Sequence, residues 1–252
     1  MKEPRYDLGL VSVSFRRHSP KEILEAAEAA RLSHIEWGSD VHAPAYDRAR
    51  LSDIAAMQEY YGIKCSSYGT YFRLSETPLE ELPLYIEAAK CLNTDVLRFW
   101  CGKTSGNKMR DGEKDALVSL AREAAHIAKE SGVTLCMECH KDTFTENPKD
   151  ALALIHAVED PHFMTYWQPF QWQTAEENLS YAKAVAPYTK HLHVFQWKGE
   201  ARFPLSDGIA EWREYLSCFP APRALLLEFM PDDRIETLPR EADALRRLIG
   251  EE

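Results

Sequence analysis

The sequence predicts an α/β fold, a single (β/α)8 barrel spanning residues 1–252. Short apolar segments alternate with longer amphipathic ones, and successive strand segments begin about 26 to 37 residues apart, the length of one strand–helix unit. Eight such units follow one another without a linker rich in Pro, Gly or Ser. No glycine-rich dinucleotide or P-loop motif follows a strand, which disfavours a doubly wound nucleotide-binding sheet.

Strands are predicted where short runs of aliphatic, β-branched and aromatic residues occur. They cover residues 8–14, 34–37, 63–68, 96–100, 133–138, 163–167, 191–195 and 224–229. Amphipathic patterns predict helices over residues 20–32, 47–61, 78–92, 114–131, 148–158, 175–186, 209–217 and 236–249. Ser19-Pro20 and Thr77-Pro78 are typical of helix starts, because a capping side chain precedes a proline in the first turn. Gly62 and Gly132 lie where helices are expected to end.

The composition indicates a globular protein and disfavours several classes. Hydrophobic residues make up 45% of the chain, and no run approaches the roughly 18 apolar residues of a membrane helix. The net charge of -10 opposes the phosphate backbone, so neither nucleic acid nor an anionic membrane is an expected partner. Met1-Lys2-Glu3-Pro4-Arg5 lacks a signal-peptide layout, and the six cysteines lie mostly in apolar segments, as reduced core residues do. We therefore expect a cytoplasmic protein.

Polar residues at the strand ends predict the functional site, because chemistry in such a barrel lies at the carboxyl ends of the strands. Glu138 and Glu228 each close an apolar strand, where an inward carboxylate is costly unless it is paired or bound to a cation. The two-residue period of a strand turns His191 and His193 to one face, with His193 nearer the mouth. With the amide oxygen of Gln168, these groups predict a site for Mn²⁺, Mg²⁺, Co²⁺ or Zn²⁺.

Each of these residues also has a purely structural explanation. A glutamate at a strand end can cap a helix or form a salt bridge, and a His-x-His pair can simply pack. Glu36 and His42 can bind substrate or cap local turns, and Arg98, inside an apolar strand, requires an anionic partner that is either substrate or a neighbouring glutamate. Aromatic residues near the strand ends can stack on sugars or pack in the core. They are Trp37, Tyr68, Trp100, Trp167 and Trp197.

The strand ends resemble the xylose-isomerase-like TIM-barrel family of sugar isomerases and epimerases, whose other branch contains DNA-repair enzymes of the endonuclease IV type. The matching segments, in order along nearly the whole chain, are Ile35-Glu36-Trp37, Val96-Leu97-Arg98, Glu138-Cys139-His140 with Asp142-Thr143-Phe144-Thr145, Trp167-Gln168-Pro169, His191-Leu192-His193, Leu205-Ser206-Asp207-Gly208 ahead of Trp212, and Leu227-Glu228-Phe229. In that family a divalent metal is commonly held by Glu, Asp, His and Glu after strands 5 to 8. Glu138, His193 and Glu228 match, whereas Gln168 replaces the Asp, which predicts weaker metal binding.

The resemblance implies a metal-dependent isomerase or epimerase in which the metal holds adjacent sugar oxygens and stabilises an enediolate. Glu138 and Glu228 would be the catalytic pair that removes and returns the proton. The residues expected to contact the substrate are Glu36, Arg98, Trp100, His140, Gln171 and Lys198.

A sugar without phosphate is expected, because the loop after strand 8, Met230-Pro231-Asp232-Asp233-Arg234, has no glycine and carries two acids. Lys198, Gly199 and Arg202, after strand 7, leave a phosphate site there as an alternative.

Three other functions stay open from the sequence. A keto-sugar lyase or hydratase would use the same enolate and expel a group β to the carbonyl. A non-catalytic sugar-binding barrel would have lost its metal site at Gln168. A DNA-repair nuclease is disfavoured by the net charge of -10 and by the absence of a histidine from the end of strand 3. Exposed aromatic residues at the strand ends also allow a homo-oligomer.

Overall fold

Eight parallel strands close into a barrel in the computed structural model, which describes residues 6–220 and 222–251. The barrel strands are β1 (Tyr6–Val11), β2 (His34–Gly38), β3 (Lys64–Leu74), β4 (Val96–Cys101), β5 (Thr134–Glu138), β6 (Phe163–Trp167), β7 (Thr189–Val194) and β10 (Arg223–Leu227). Each pairs with its neighbour, and β10 closes on β1 with Leu225 opposite Leu8. The predicted (β/α)8 barrel is confirmed.

Eight helices lie between or after these strands in the described part of the chain. They are α1 (Pro20–Ala29), α2 (Arg48–Tyr61), α3 (Leu82–Cys91), α4 (Asp111–Glu130), α5 (Pro148–Val158), α6 (Ala175–Val185), α7 (Ile209–Ser217) and α8 (Leu238–Ile249). Ser19 caps α1 by accepting the Glu22 N–H, and the Glu22 carboxylate accepts the Ser19 N–H in return. Gly62 ends α2 with a left-handed φ of 66°. The local sequence signals therefore set these boundaries directly.

The alternation of side chains along the strands separates the barrel interior from the layer under the helices. The interior cluster consists of Val11, Val13, Val96, Cys136, Tyr166, Ala224 and Leu226. Leu135 and Met137, on either side of Cys136, instead pack under the helices. Because side chains two residues apart share a face, Glu138 and Glu228 continue the inward-facing rows of Cys136 and Leu226. The six cysteines are free, as the sequence indicates.

Several segments at the mouth of the barrel differ from the predicted strands. β1 ends at Val11, and residues Ser12–Phe15 form a 3-10 turn in place of the predicted continuation to residue 14. The hydroxyl of Ser12 accepts the Gly38 N–H at 2.9 Å, and that of Ser14 accepts the Phe229 N–H at 2.8 Å. These serines thus join neighbouring strand ends, which is a use of polar side chains that apolar periodicity does not reveal.

A two-stranded hairpin follows β7 and was not predicted. It consists of β8 (Gln196–Lys198) and β9 (Ala201–Phe203), which pair antiparallel. Gly199 adopts a φ of 58° in the turn, a conformation that glycine reaches without strain. The strands are three residues long, which is too short for the alternation signal to show in the sequence.

None of the helices in the described part of the chain combines the length and the hydrophobicity that a membrane span requires. The predicted absence of a signal peptide concerns Met1–Arg5, which lies outside the described residues.

The close packing of β1 against β2 and β10 at Gly9 generates a prediction about the stability of the protein. A β-carbon at Gly9 would overlap the His34 carbonyl and Leu226, whereas one at Gly112, in α4, would meet nothing within 4 Å. We expect Gly9→Ala to lower the free energy of unfolding by about 1–3 kcal/mol. Gly112→Ala should raise it by up to about 1 kcal/mol, because alanine favours a helix. Urea denaturation measures both, and a Gly9→Ala protein as stable as wild type would contradict the packing described for β1.

Candidate metal and substrate site

Three ionisable side chains meet at the carboxyl end of the barrel. Glu138 ends β5, His193 lies near the end of β7, and Glu228 follows β10. One potential ligand atom from each lies within 4.8 Å of the other two. All three are buried, with exposed fractions of 4%, 0% and 7%. This is the arrangement that the strand alternation predicts for these residues.

Gln168 joins the three residues from the end of β6. Its Oε1 lies 2.9 Å from His193 Nδ1, and its Nε2 lies 3.4 Å from Glu138 Oε1. His193 Nδ1 is also 3.5 Å from Glu228 Oε2. The Nδ1 edge of the imidazole therefore faces amide and carboxylate oxygens. The structure brings together all four residues predicted to hold a metal.

Arg98 lies at the base of this cluster and bridges two glutamates. Its Nε donates to Glu36 Oε1 at 2.7 Å, and its Nη1 donates to Glu138 Oε2. The indole N–H of Trp100 donates to the same Glu138 oxygen. Ser67 Oγ donates to Glu36 Oε2 at 2.8 Å. Of the two partners that the sequence allows for Arg98, the structure therefore shows neighbouring glutamates.

These contacts give the buried carboxylates different proton affinities. Burial raises the pKa of Glu228, and the charge of Glu138 raises it further. Burial acts in the same direction on Glu138, but Arg98 and then His193 outweigh it and lower the Glu138 pKa. For His193, burial lowers the pKa, yet the charges of Glu228 and Glu36 raise it to about 9. Glu138 is therefore held as a carboxylate, while Glu228 takes up a proton more readily.

Gly69 on β3 makes room for the buried ion pair. A β-carbon at this position would overlap Glu36 Oε1 and Arg98 Nη2. Since the φ of Gly69 is not positive, its role is space and not backbone conformation. A lone glycine within a strand is a weak signal of close approach, and nothing else in the sequence marks Gly69 as the neighbour of an ion pair.

A cavity of about 260 Å³ opens above the cluster. Glu138, Gln168 and Glu228 lie at its floor. Its walls are largely aromatic and comprise Tyr71, Trp100, Phe170, Trp172, Phe195, Trp197 and Phe229. The polar groups of the wall and rim are Arg16, His140, Lys141 and Gln171. An aromatic enclosure over a few convergent polar groups is typical of a small-molecule site.

The residues predicted to contact substrate fall into three groups. Trp100, His140 and Gln171 line this cavity, as does Arg98. Glu36 is fully buried and does not line it. Lys198 is exposed on β8 and lines an adjoining depression.

The aromatic residues near the strand ends divide between site and core. Trp100 and Trp197 line the cavity. Trp37 donates its indole N–H to Gln58, Tyr68 donates to the Ala43 carbonyl, and Trp167 packs against Trp212 and its neighbours. The sequence left both roles open for each of these residues, and only the contacts separate them.

His42, the other residue with two possible roles, is fully buried. Its Nδ1 lies 3.1 Å from Ser12 Oγ, and its Nε2 lies 3.1 Å from the His18 carbonyl oxygen. Both ring nitrogens thus have partners within the protein, and His42 supports the loops around the mouth.

Arg202, on the β8–β9 hairpin, holds the wall opposite Trp100. Its guanidinium lies 4.6 Å from the centre of the Trp197 ring and 5.1 Å from that of Phe229, and it pairs with Asp233. Stacked and paired in this way, Arg202 fixes two aromatic walls of the cavity.

A larger depression of about 570 Å³ lies away from this cluster. Asp7, His34, Lys64 and Lys190, from the amino-terminal ends of strands, are among its lining residues. Active sites of such barrels lie at the opposite end, and the Glu138–His193–Glu228 cluster is there.

The family description of the xylose isomerase-like TIM barrel matches residues 24–248. The chain belongs to this family. No curated protein matches the sequence. This match confirms the family that was predicted from the residues at the strand ends.

Solved structures of other family-like barrels superpose over nearly the whole chain. The probable 3-DHS dehydratase AsbF from Bacillus anthracis has 16% identity and a TM-score of 0.78, covering 96% of this chain and 98% of its own. D-psicose 3-epimerase from Clostridium cellulolyticum H10, with D-tagatose, has 16% identity and a TM-score of 0.71, with coverages of 97% and 99%. The IolI protein with a bound zinc atom has 16% identity and a TM-score of 0.74, with coverages of 96% and 98%. At these identities the likeness shows the shared fold.

The buried ion pairs of Arg98 generate a prediction about stability. Arg98→Met would leave Glu36 and Glu138 buried without a cation, and we expect it to lower the free energy of unfolding by about 3–5 kcal/mol. Adding Glu36→Gln should restore part of this loss, because one buried charge is then removed. Urea denaturation in EDTA compares the single and double variants. An Arg98→Met protein within about 1 kcal/mol of wild type would show that the cation is not needed there.

Proposed function

We propose that this protein is a metal-dependent sugar isomerase or epimerase that moves a proton next to a carbonyl group. The observation that carries the proposal is the meeting of Glu138, His193 and Glu228, with the two glutamates at the floor of an aromatic cavity and His193 buried against Glu228. The D-psicose 3-epimerase with D-tagatose and the zinc-bound IolI protein, both similar in fold, support it.

Glu138, Gln168 and Glu228 at the cavity floor, together with His193 beside them, fit a divalent cation by their chemistry. Two carboxylates, one imidazole and one amide oxygen are donors that suit Mn²⁺, Mg²⁺, Co²⁺ or Zn²⁺. The charges of Glu228 and Glu36 raise the pKa of His193, and burial and the charge of Glu138 raise that of Glu228, so negative charge converges here that a cation would offset. Gln168 contributes no charge, so its presence favours weaker binding than an aspartate would give.

When bound, a divalent metal supplies a Lewis acid that makes the C–H bond beside a sugar carbonyl more acidic. We assign the transfer of that proton to Glu138 and Glu228, and the position of both carboxylates in the cavity lining supports this assignment. Arg98 and Trp100 engage Glu138 Oε2, which leaves Oε1 as the oxygen available to a ligand. Transfer between two faces of one carbon gives an epimerase, and transfer between neighbouring carbons gives an isomerase.

The surroundings of the cavity favour a substrate without phosphate. Of the groups after β7 that could bind phosphate, Arg202 is paired with Asp233, and the Gly199 N–H donates to the Gln171 carbonyl at 2.7 Å. Lys198 lies in the adjoining depression. Aromatic walls instead suit the C–H faces of a neutral sugar.

A keto-sugar lyase or dehydratase is the second candidate, favoured by the fold likeness to the 3-DHS dehydratase AsbF. The same proton removal would then be followed by loss of a group β to the carbonyl. His140 is the candidate to protonate that leaving group, because its imidazole lines the cavity. Its ring lies 5.1 Å from that of Trp100.

Exchange of substrate protons with D₂O tests the proposed chemistry. With Mn²⁺ present, we expect the wild-type protein to exchange a C–H proton beside the carbonyl of an accepted ketose, as followed by NMR. Glu138→Gln and Glu228→Gln should each slow this exchange by about 10²-fold or more, because the amide cannot take the proton. Removal of metal with EDTA should have a similar effect.

Glu241→Gln is the matched control, because Glu241 is equally buried but accepts the Leu205 N–H outside the site. It should exchange at the wild-type rate. Undiminished exchange in either site variant would remove that glutamate from the mechanism. Sugar binding without any exchange in wild type would favour the non-catalytic barrel.

A panel of free ketoses and aldoses beside their phosphates tests the substrate class. We expect the free sugar to have the higher kcat/KM in each pair. Of the basic groups after β7, Arg202 is paired with Asp233 and Lys198 lines the adjoining depression. Turnover at least about tenfold more efficient on the phosphorylated member would identify Lys198 and its neighbours as a phosphate site.

A further inference from the structure

We infer that Glu36 is a positioning residue for the metal centre and makes no contact with substrate. This inference rests on the proposed metal site. Glu36 has an exposed fraction of 0% and lies below the residues that line the cavity. Its two carboxylate oxygens reach two of the proposed metal ligands, His193 directly and Glu138 through Arg98.

The first connection orients His193. A neutral imidazole carries one proton, and only its unprotonated nitrogen can bind a metal. His193 Nε2 lies 3.4 Å from Glu36 Oε2, and an ionised carboxylate offers only acceptors. Glu36 therefore holds a proton on Nε2. The nitrogen that gives up its proton to a bound metal is then Nδ1, which faces Gln168 Oε1 and Glu228 Oε2. A carboxylate behind a histidine ligand is a common way to fix its tautomer and ring orientation.

The second connection orients Glu138. Glu36 Oε1 accepts from Arg98 Nε, and the far side of the same guanidinium donates to Glu138 Oε2. A guanidinium is rigid and planar, so fixing one edge fixes the other. Glu138 therefore presents Oε1 to the cavity, 3.4 Å from Gln168 Nε2.

The surroundings of Glu36 require a carboxylate and not an amide. Oε1 accepts from Arg98, while Oε2 accepts from Ser67 and faces His193 Nε2. A glutamine would turn an NH₂ group toward one of these donors. Gly69 supplies the space in which the carboxylate and guanidinium meet.

Titration calorimetry of the full-length protein with MnCl₂ and with ZnCl₂ tests the inference. We expect Glu36→Gln to weaken metal binding about 10- to 100-fold, the effect typical of residues that orient metal ligands. The control is Glu241→Gln, because Glu241 is also buried, at 3% exposure, and accepts the Leu205 N–H at 2.7 Å away from the site. It should leave metal affinity unchanged even if it lowers Tm. Equal affinity in Glu36→Gln and wild type would overturn the inference while leaving the metal site standing.

A second measurement needs no variant at Glu36. In wild-type protein labelled with ¹⁵N-histidine and loaded with Zn²⁺, NMR should show the His193 proton on Nε2 and zinc on Nδ1, with His193→Gln assigning the signals. A proton on Nδ1 with zinc on Nε2 would overturn the inference. If wild-type protein binds neither metal at millimolar concentration, the proposed metal site itself is wrong, and the inference fails with it.

Discussion

The site depends on one buried cation, Arg98, held between Glu36 and Glu138 in the centre of the barrel. Charges this far from solvent are stable only when each has a partner of opposite charge. Arg98 meets that requirement for both glutamates. Its charge lowers the pKa of Glu138 and so keeps that carboxyl ionised. Glu228 instead lies 3.5 Å from His193 Nδ1, and burial raises the pKa of Glu228. Two chemically identical side chains thus acquire different properties from their neighbours.

This constraint extends to residues that never touch a ligand. Gly69 must lack a side chain, since a β-carbon would overlap the Glu36–Arg98 pair. Ser67 donates to Glu36 from the same strand, and Trp100 donates to Glu138 from β4. A paired cation also holds the aromatic walls, because Arg202 stacks on Trp197 and Phe229 while it pairs with Asp233. A small number of paired cations therefore positions both the floor and the wall of the cavity.

The barrel and the positions of Glu138, His193 and Glu228 could be predicted from the sequence, because strand alternation and strand order are local and regular. The hairpin after β7 could not, since its strands are too short for a periodic signal. The partners of Arg98 could not be predicted either. Glu36 lies 62 positions away in the sequence, and the register between strands decides which side chains meet. Glu36 was expected to contact substrate, yet it lies beneath the cavity, since strand alternation gives the face of a residue but not its depth.

An anomalous-difference map from crystals of the wild-type protein soaked in Mn²⁺ tests the proposed site most directly. We predict one strong peak within bonding distance of His193 Nδ1 and of oxygens of Glu138 and Glu228, with Gln168 Oε1 beside it. Arg98 should remain paired with Glu36 beneath the peak. A peak elsewhere, or none at these residues at saturating Mn²⁺, would contradict the proposed site.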